Sequence, residues 1–208
     1  MAQWINKTLA ESAEKATWPA VSPLVGYYAN APGQHLGPDA CFSYALAGST
    51  HHCTYPAKVV CEVVRSIPHS VDLLRQKLRK YMANPHLDHI VVVKCMEAAQ
   101  FGDSKMMVAH YTRQDGHWAL EVVDVGGQPY EEAADWFLKC PLATLHRFWS
   151  LCDPDRPSHV DISLALANLQ AEDSQLFVNG YGLKWTQDVR ILLDLNHLAA
   201  MNIESCPS

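Results

Sequence analysis

Two β-rich runs joined by a tight turn constrain the fold more than any other feature of this sequence. Residues 106–112 and 117–125 are rich in Val, Met, Leu and aromatic side chains, and Gln114-Asp115-Gly116 separates them. An Asp-Gly pair between two such runs favours a β-hairpin, because both residues tolerate the positive φ angles of tight hairpin turns. Just upstream, the β-branched run 89–95 is typical of a buried strand. The middle of the chain therefore predicts a meandering antiparallel sheet.

A second turn extends this prediction. Gly126-Gly127 is expected to turn the chain back into a strand that begins at 128–132. Further on, the sequence predicts a loop over 152–159, a helix over 160–169 and a short strand over 176–178. Two predictions stay open. A helix is expected over either 130–139 or 141–151, and residues 187–200 are either strand or helix.

The N-terminal part of the chain has a helical pattern instead. Residues 1–20 form an amphipathic stretch with Trp4, Ile5, Leu9 and Ala13 at helical spacing. Three more helices are predicted, over about 40–47, from Pro56 to Ile67, and from Ser70 to the Asn84-Pro85 pair. Helices that precede an antiparallel sheet indicate an α+β fold.

The overall composition is that of a globular protein. The 208 residues are 49% apolar and 18% charged, which suits one domain over 31–208 with an N-terminal helix and loop as an appendage over 1–30. A formal net charge of -6 argues against a nucleic-acid-binding surface. We expect no membrane association, because no apolar run approaches the length of a membrane span. Seven scattered cysteines, an odd number, favour a reducing compartment and hence a cytoplasmic location.

One cysteine lies in a context that suits a nucleophile. Cys41 follows Gly37-Pro38-Asp39, and the Asp39 carboxylate can cap the helix predicted after it. The helix dipole would then favour a thiolate at Cys41. Gln34 lies seven residues earlier in a glycine-containing loop that could fold back beside the sulfur. A small, buried and inert thiol is the alternative.

A cysteine hydrolase also needs a histidine, and the chain has eleven. His117 opens the strand after the Asp-Gly turn, and a hairpin centred on Gly126-Gly127 would place it opposite residue 136. Asp135 is the acid nearest to that point, followed by the acids Glu132 and Glu131. An acid there could orient the imidazole.

His110 is the rival histidine. The turn near Asp115 would set His110 opposite about residue 120. Asp124 would then lie about four residues further along that strand, too far for a direct pair. His117 is therefore preferred.

The segment 108–122, Val-Ala-His-Tyr-Thr-Arg-Gln-Asp-Gly-His-Trp-Ala-Leu-Glu-Val, resembles the His-Trp strand of the Josephin deubiquitinases and of several viral papain-like and ovarian-tumour-type proteases. The segment 161–178 is similar to the helix and strand that follow the Josephin catalytic hairpin, and Gln34 and Cys41 occur in the Josephin order. This chain differs from the Josephin pattern in two ways. Seven positions separate Gln34 from Cys41, whereas the Josephin glutamine and cysteine are closer together in the sequence. The third catalytic residue of Josephin is an Asn, whereas the residues near the expected point in this chain are acids.

This resemblance implies a papain-like fold, in which N-terminal helices carry the nucleophile and an antiparallel sheet carries the histidine. It implies a cysteine hydrolase that cleaves peptide or isopeptide bonds through a Cys41–His117 pair, with Asp135 orienting the imidazole and Gln34 stabilising the oxyanion. The expected substrate is a protein, such as ubiquitin or a ubiquitin-like protein, and no cofactor is expected. Deamidation of a protein glutamine would use the same groups.

Two other classes of function stay open. His51, His52, Cys53 and Cys61 could supply zinc ligands, although no Cys-x-x-Cys pair accompanies them. Alternatively, the chain is a non-catalytic interaction module with an unreactive Cys41, in which Trp136, Trp149 and Trp185 belong to the core or to a partner site.

Overall fold

A computed structural model describes residues 1–18, 37–42, 57–65, 70–96, 105–125, 143–169 and 184–204. Within these ranges the helices and strands are, in chain order, α1 (Ala2–Ala16), β1 (Thr17–Trp18), β2 (Ala40–Phe42), β3 (Val59–Arg65), α2 (Ser70–Met82), β4 (His89–Met96), β5 (Lys105–Gln114), β6 (His117–Asp124), β7 (Ala143–Trp149), β8 (His159–Leu164), β9 (Lys184–Trp185), β10 (Val189–Asp194) and α3 (Leu195–Glu204). The α+β class is confirmed.

Six strands form one mixed sheet in the order β2-β3-β4-β5-β6-β7. The pairs β3–β4 and β6–β7 are parallel, and the other three pairs are antiparallel. Helix α2 makes the crossover that a parallel β3–β4 pair requires. Strands β8 and β10 form a separate antiparallel ribbon, and β1 pairs with β9.

The predicted turn between β5 and β6 is confirmed. Gln114 pairs with His117 across a two-residue loop, in which Asp115 has φ 51° and Gly116 has φ 80°. Two consecutive positive φ angles belong to the type I′ turn, whose twist matches that of the flanking strands.

The two faces of the sheet bury different elements. On one face, Leu74, Leu78 and Tyr81 of α2 pack against the sheet, in a cluster that includes Val92 and Leu120. The other face is covered by α1, by the ribbon and by α3, with these residues in the core: Ile5, Leu9, Ile162, Ile191, Leu195 and Leu198. Each fully buried aliphatic side chain of this kind contributes about 1.5–3 kcal/mol relative to an exposed one.

Helix α1 belongs to the main core. Ile5 is 0% and Leu9 is 1% exposed, at the helical spacing that the sequence predicted. Residues 2–16 thus pack with elements of the domain that was expected over 31–208.

Helix α2 and the end of β10 follow local signals. Helix α2 begins at Ser70 as predicted and ends just before Asn84-Pro85.

The segment 187–200, for which strand and helix were both open, divides into β10 and α3. The boundary is Asp194, whose carboxylate accepts hydrogen bonds from the backbone N–H groups of Asn196 at 2.8 Å and His197 at 3.1 Å. This is the N-cap arrangement.

Several predicted helices are wrong. The residues Ala40–Phe42 and Val59–Arg65 are strands, although helices were expected at both places. The spacing of valines in β3 suits one helix face, but both faces of β3 are covered, so apolar side chains occur on either side of the strand. Tertiary packing therefore overrides the local pattern.

The C-terminal half shows the same kind of error. The Ala143–Trp149 segment is a strand, which excludes the helix proposed over 141–151. Half of the helix expected over 160–169 is strand β8, and only residues 166–169 are helical. The sheet is mixed rather than antiparallel. The predicted strands at 128–132 and 176–178 lie outside the described residues. Among the helices that the structure describes, none is both long and apolar enough to cross a membrane.

Candidate functional site

Cys41 lies in the middle of a strand and not at a helix start. It pairs with Val60 of β3, is 1% exposed, and packs in the same cluster as Tyr81 of α2. The expectation of a helix-start thiolate is therefore corrected, because no helix dipole acts on a thiol in the middle of β2. The fold places this candidate nucleophile in the sheet itself.

His117 lies far from Cys41. It is exposed at the first position of β6, and β3, β4 and β5 separate β6 from β2. Four strand spacings amount to about 19 Å. The neighbouring Trp118 packs in the cluster that contains Cys41, so His117 belongs to the opposite face of the sheet. The structure does not bring Cys41 and His117 together.

The strands beside β6 differ from the hairpin that was expected to orient His117. The neighbours of β6 are β5 and the parallel strand β7, with Trp118 opposite Ala143, so the register expected from a Gly126-Gly127 hairpin does not occur on β6. Asp124 is buried at the far end of β6, opposite Met107. Gln34, Asp135, Glu131 and Glu132 lie outside the described residues.

His110, the rival histidine, has a close partner that the sequence did not indicate. Its Nε2 lies 3.1 Å from Nδ1 of His89, and the two ring centroids are 5.4 Å apart with the planes tilted by 20°. The antiparallel register explains the contact, because His110 faces Val91 and His89 faces Thr112, which makes the two histidines diagonal neighbours on one face. The pair therefore brings two titratable groups into contact on that face of the sheet.

The pKa of each histidine in the pair is lowered. Burial lowers the pKa of His110 to about 3, with a further contribution from His89 and an opposing one from Asp161. Burial also lowers the pKa of His89, which Asp88 and a hydrogen bond to the backbone of Ser163 partly offset and Lys58 reinforces. Both imidazoles are therefore neutral at neutral pH.

The two neutral rings share one hydrogen bond. A neutral imidazole has one N–H donor and one acceptor nitrogen. Of Nδ1 of His89 and Nε2 of His110, which lie 3.1 Å apart, one therefore donates and the other accepts. Each of these two nitrogens is thus engaged within the protein.

A cleft of about 280 Å³ lies beside His89, between the sheet and β8. On the sheet side it is lined by Lys58, Asp88, His89, Thr112, Arg113 and Gln114, and on the other side by Ser163, Leu164, Ala165, Asn168 and Leu169. Both walls carry hydroxyl or amide groups. The cleft can therefore offer several hydrogen bonds to a polar ligand.

Among the described residues, the charged side chains in the lining of the cleft are Lys58, Asp88 and Arg113. Lys58 Nζ lies 3.1 Å from Asp88 Oδ2, and the Lys58 side chain is only 6% exposed. The backbone N–H groups of Asp88 and His89 both donate to the carbonyl of Lys58, which holds the lysine in position. Arg113 donates to the carbonyls at the end of α2, and its guanidinium stacks 4.7 Å from the centroid of Trp118. Because Trp118 packs on the α2 face, this guanidinium is directed away from β8, which leaves the Lys58–Asp88 pair as the charged groups at the cleft.

Metal binding finds no support in the part of the chain that is described. No group of three or more His, Cys, Asp or Glu residues is arranged there to hold a metal ion. Of the proposed zinc ligands, His51, His52 and Cys53 lie outside the described residues. Cys61 is buried in β3, where burial strongly raises the pKa of its thiol.

Comparisons with known proteins add little. No protein-family model matches the chain, and no curated protein matches it. Among solved structures, the central domain of the uncharacterized Lpg1148 protein from Legionella pneumophila is similar, with 19% identity and a TM-score of 0.33. The match covers 47% of this chain and 57% of that chain, and a similarity of this size carries no argument about fold or function.

Proposed function

We propose that this chain is a recognition module that binds a carboxylate side chain of a protein partner in the cleft between the sheet and β8. The observation that carries the proposal is the composition of the cleft. Among the described lining residues it combines Lys58, which is paired with Asp88, with the neutral hydrogen-bonding side chains of Thr112, Ser163 and Asn168. Several neutral donors beside one ammonium group suit the oxygens of a carboxylate.

The size of the cleft supports a side chain rather than a large ligand. A volume of about 280 Å³ lies just below the range for small-molecule pockets, which is about 300–1,000 Å³. A glutamate or aspartate side chain would place its oxygens near Lys58, while the hydroxyls of Thr112 and Ser163 and the amide of Asn168 supply neutral donors.

Binding suits the cleft better than covalent catalysis does. Among the described residues no cysteine lines it, and His89 shares one ring nitrogen with His110. Hydrolysis through Cys41 and His117 stays a prediction of the sequence resemblance, and it would require the two residues to approach from opposite faces of the sheet.

The test is an NMR titration at pH 7.5 with two short acetylated peptides, one with a central Glu and the other with Gln. We expect the Glu peptide to shift the amide signals of Thr112, Ser163 and Asn168, and to bind more tightly than the Gln peptide. Equal binding of the two peptides, or shifts confined to other surfaces, would contradict the proposal.

Matched charge variants sharpen the test. Gln114→Glu adds a negative charge to the lining of the cleft, and Gln76→Glu makes the same change on the exposed side of α2. At a separation of about 6 Å in a water-like dielectric, the added repulsion is about 0.7 kcal/mol, or about threefold in affinity. Gln114→Glu should weaken binding of the Glu peptide by at least that factor, whereas Gln76→Glu should not change it.

A further inference from the structure

Strand β8 has one paired edge and, within the described part of the chain, one open edge. Its ribbon consists there of β8 and β10. The backbone N–H of Leu195 donates to the carbonyl of Ser158 at 3.0 Å, and this pair continues the register that sets Asp194 opposite His159. Hydrogen-bonded and non-hydrogen-bonded pairs alternate along an antiparallel ladder. The even-numbered residues of β8 therefore bond to β10, and the odd-numbered residues direct their backbone groups away from it.

The outward-facing backbone groups belong to His159, Asp161 and Ser163. Among the described residues, no group bonds to the N–H of any of the three or to the carbonyls of His159 and Asp161. The carbonyl of Ser163 is left out of this set, because the His89 ring lies next to it. The open edge of β8 thus presents donors and acceptors in the alternating order that pairs with another strand.

This open edge lies beside the cleft. Ser163 and Leu164, at the C-terminal end of β8, line the cleft together with residues of β4 and β5. Across this face of the sheet, α1 contacts β2, β3 and β10, whereas β8 reaches β4 and β5, so the open edge is directed toward β6. On that side the following residues of β5 and β6 are only partly buried: His110, Thr112, Ala119 and Glu121. A groove of half-exposed sheet therefore runs along β8.

We propose that the partner of the cleft binds as an added β-strand along the open edge of β8, with its acidic side chain in the cleft. The acidic side chain rests on the proposed function, whereas the strand pairing rests on the backbone groups of β8. An added strand obtains affinity from main-chain hydrogen bonds and specificity from pockets for alternate side chains. The cleft is such a pocket, and the ammonium group of Lys58 complements the charge of the acid.

The ladder determines which partner residue enters the cleft. Residues that lie opposite each other on two strands share a face, so the partner residue opposite Leu164 points with it toward the sheet and the cleft. That residue carries the carboxylate. In an antiparallel strand, the partner residues one, three and five positions after it lie opposite Ser163, Asp161 and His159, and they direct their N–H groups toward β8.

The regularity and charge of β8 favour a partner strand over a second copy of this chain. β8 pairs with β10 over six residues without a register shift, whereas β7, at the edge of the main sheet, has an irregularity opposite Leu120 and Glu121. A regular edge is the better template for an added strand. Self-pairing of two β8 edges centred on Asp161 would set the two Asp161 carboxylates opposite each other, and like charges there are destabilising.

Hydrogen exchange of the free protein, read for each amide by NMR, tests the open edge. We expect the even-numbered amides of β8 to be protected and the odd-numbered amides, those of His159, Asp161 and Ser163, to exchange at least about tenfold faster. Protection of all of them at every protein concentration would show that another segment of this chain covers the edge. Protection that grows with concentration would show a second copy. Either result would overturn the proposal.

Backbone N-methylation of the Glu peptide, extended by at least five residues after Glu, tests the pairing. Methylation at the third and fifth residues after Glu removes the donors that face the carbonyls of Asp161 and His159. Binding should weaken at least about tenfold, because one hydrogen bond is equivalent to about fivefold in affinity. The control peptide is methylated at the second and fourth residues, whose N–H groups point away from β8, and should bind within about threefold of the parent peptide. Equal losses in the two peptides would refute strand addition.

A pair of protein variants tests the same edge from the other side. Asp161→Pro removes one outward N–H, and Asp161→Ala removes the same side chain but retains that N–H. We expect the Glu peptide to bind the Pro variant at least about fivefold more weakly than the Ala variant. Equal binding by the two variants would contradict strand addition.

The strand pairing and the carboxylate site fail separately. Equal binding of the Glu and Gln peptides, with the difference between the two methylation patterns retained, would contradict the carboxylate site and leave strand addition standing. A preference for Glu with no difference between the methylation patterns would leave the carboxylate site and refute strand addition. Binding of neither peptide would contradict both.

Discussion

The hydroxyl of Tyr81 on α2 donates a hydrogen bond to the buried carboxylate of Glu62 on β3. The second oxygen of Glu62 accepts from Lys77 at 2.8 Å, and Lys77 also donates to the carbonyl of Gly37. Burial raises the pKa of Glu62, while the hydrogen bonds from Lys77 and Tyr81 oppose that rise. This network ties α2 to the sheet and to the segment before β2.

Tyr81→Phe should destabilise the protein by about 1–3 kcal/mol, because it leaves a buried carboxylate oxygen without its donor. Urea unfolding monitored by circular dichroism measures the loss. Leu73→Ala, at a position on α2 that is 45% exposed, serves as the control and should change stability by about 0.5 kcal/mol or less. A Tyr81→Phe protein as stable as the parent would show that Glu62 does not depend on this hydroxyl.

Cys41 should be alkylated more slowly than Cys152 in the folded protein. Cys41 is 1% exposed, whereas Cys152 is an exposed free cysteine that serves as the internal reference. Iodoacetamide labelling at pH 7.5 with peptide mass spectrometry measures both rates, and His117→Ala should leave them unchanged. Faster labelling of Cys41 that depends on His117 would instead support the cysteine-hydrolase prediction.

Gly116→Ala should destabilise the β5–β6 hairpin by about 1–2 kcal/mol, since an L-residue is disfavoured at the φ of +80° found there. Nothing lies within 4 Å of an added Cβ at Gly116, so the cost comes from the backbone. Gly37→Ala is the matched control, because its Cβ also meets nothing within 4 Å and its φ is not in the left-handed region. Equal thermal stability of the two variants would argue against the type I′ turn.

Global stability should fall as the pH decreases from about 6.5 toward about 3. The pKa of His110 is about 3 in the folded protein and 6.5 for the free side chain, so the unfolded chain binds more protons between these values. The contribution of His110 is thus fully present above pH 6.5 and is lost on acidification. Chemical denaturation at several pH values measures this, and His110→Gln should flatten the profile in that window. An unchanged slope in the variant would assign acid sensitivity to other groups.

Parts of the chain with strong local signals were predictable. The Asp115-Gly116 pair determines the β5–β6 turn through its positive φ angles, and the run 89–95 is strand β4. Helix α2 follows from the apolar spacing of Leu74, Leu78 and Tyr81 between its two end signals. In each case the preference of a few neighbouring residues agrees with the final packing.

The pairing of His89 with His110 was not predictable in this way. The two residues are 21 positions apart, and their contact depends on the register that sets His89 opposite Thr112. Each histidine alone resembles a polar interruption of a strand. Only strand pairing places them on one face, where both are partly buried.

By itself, the sequence determined the α+β class, the central strands, the α2 helix and the tight hairpin, because these depend on backbone preferences and apolar periodicity within short windows. Tertiary structure alone decided that Cys41 and the valines of β3 lie in strands, that Cys41 and His117 lie apart, and that His89 meets His110 beside a cleft. The physical reason is that burial on both faces and strand order arise from contacts between residues distant in the chain, which no local pattern encodes.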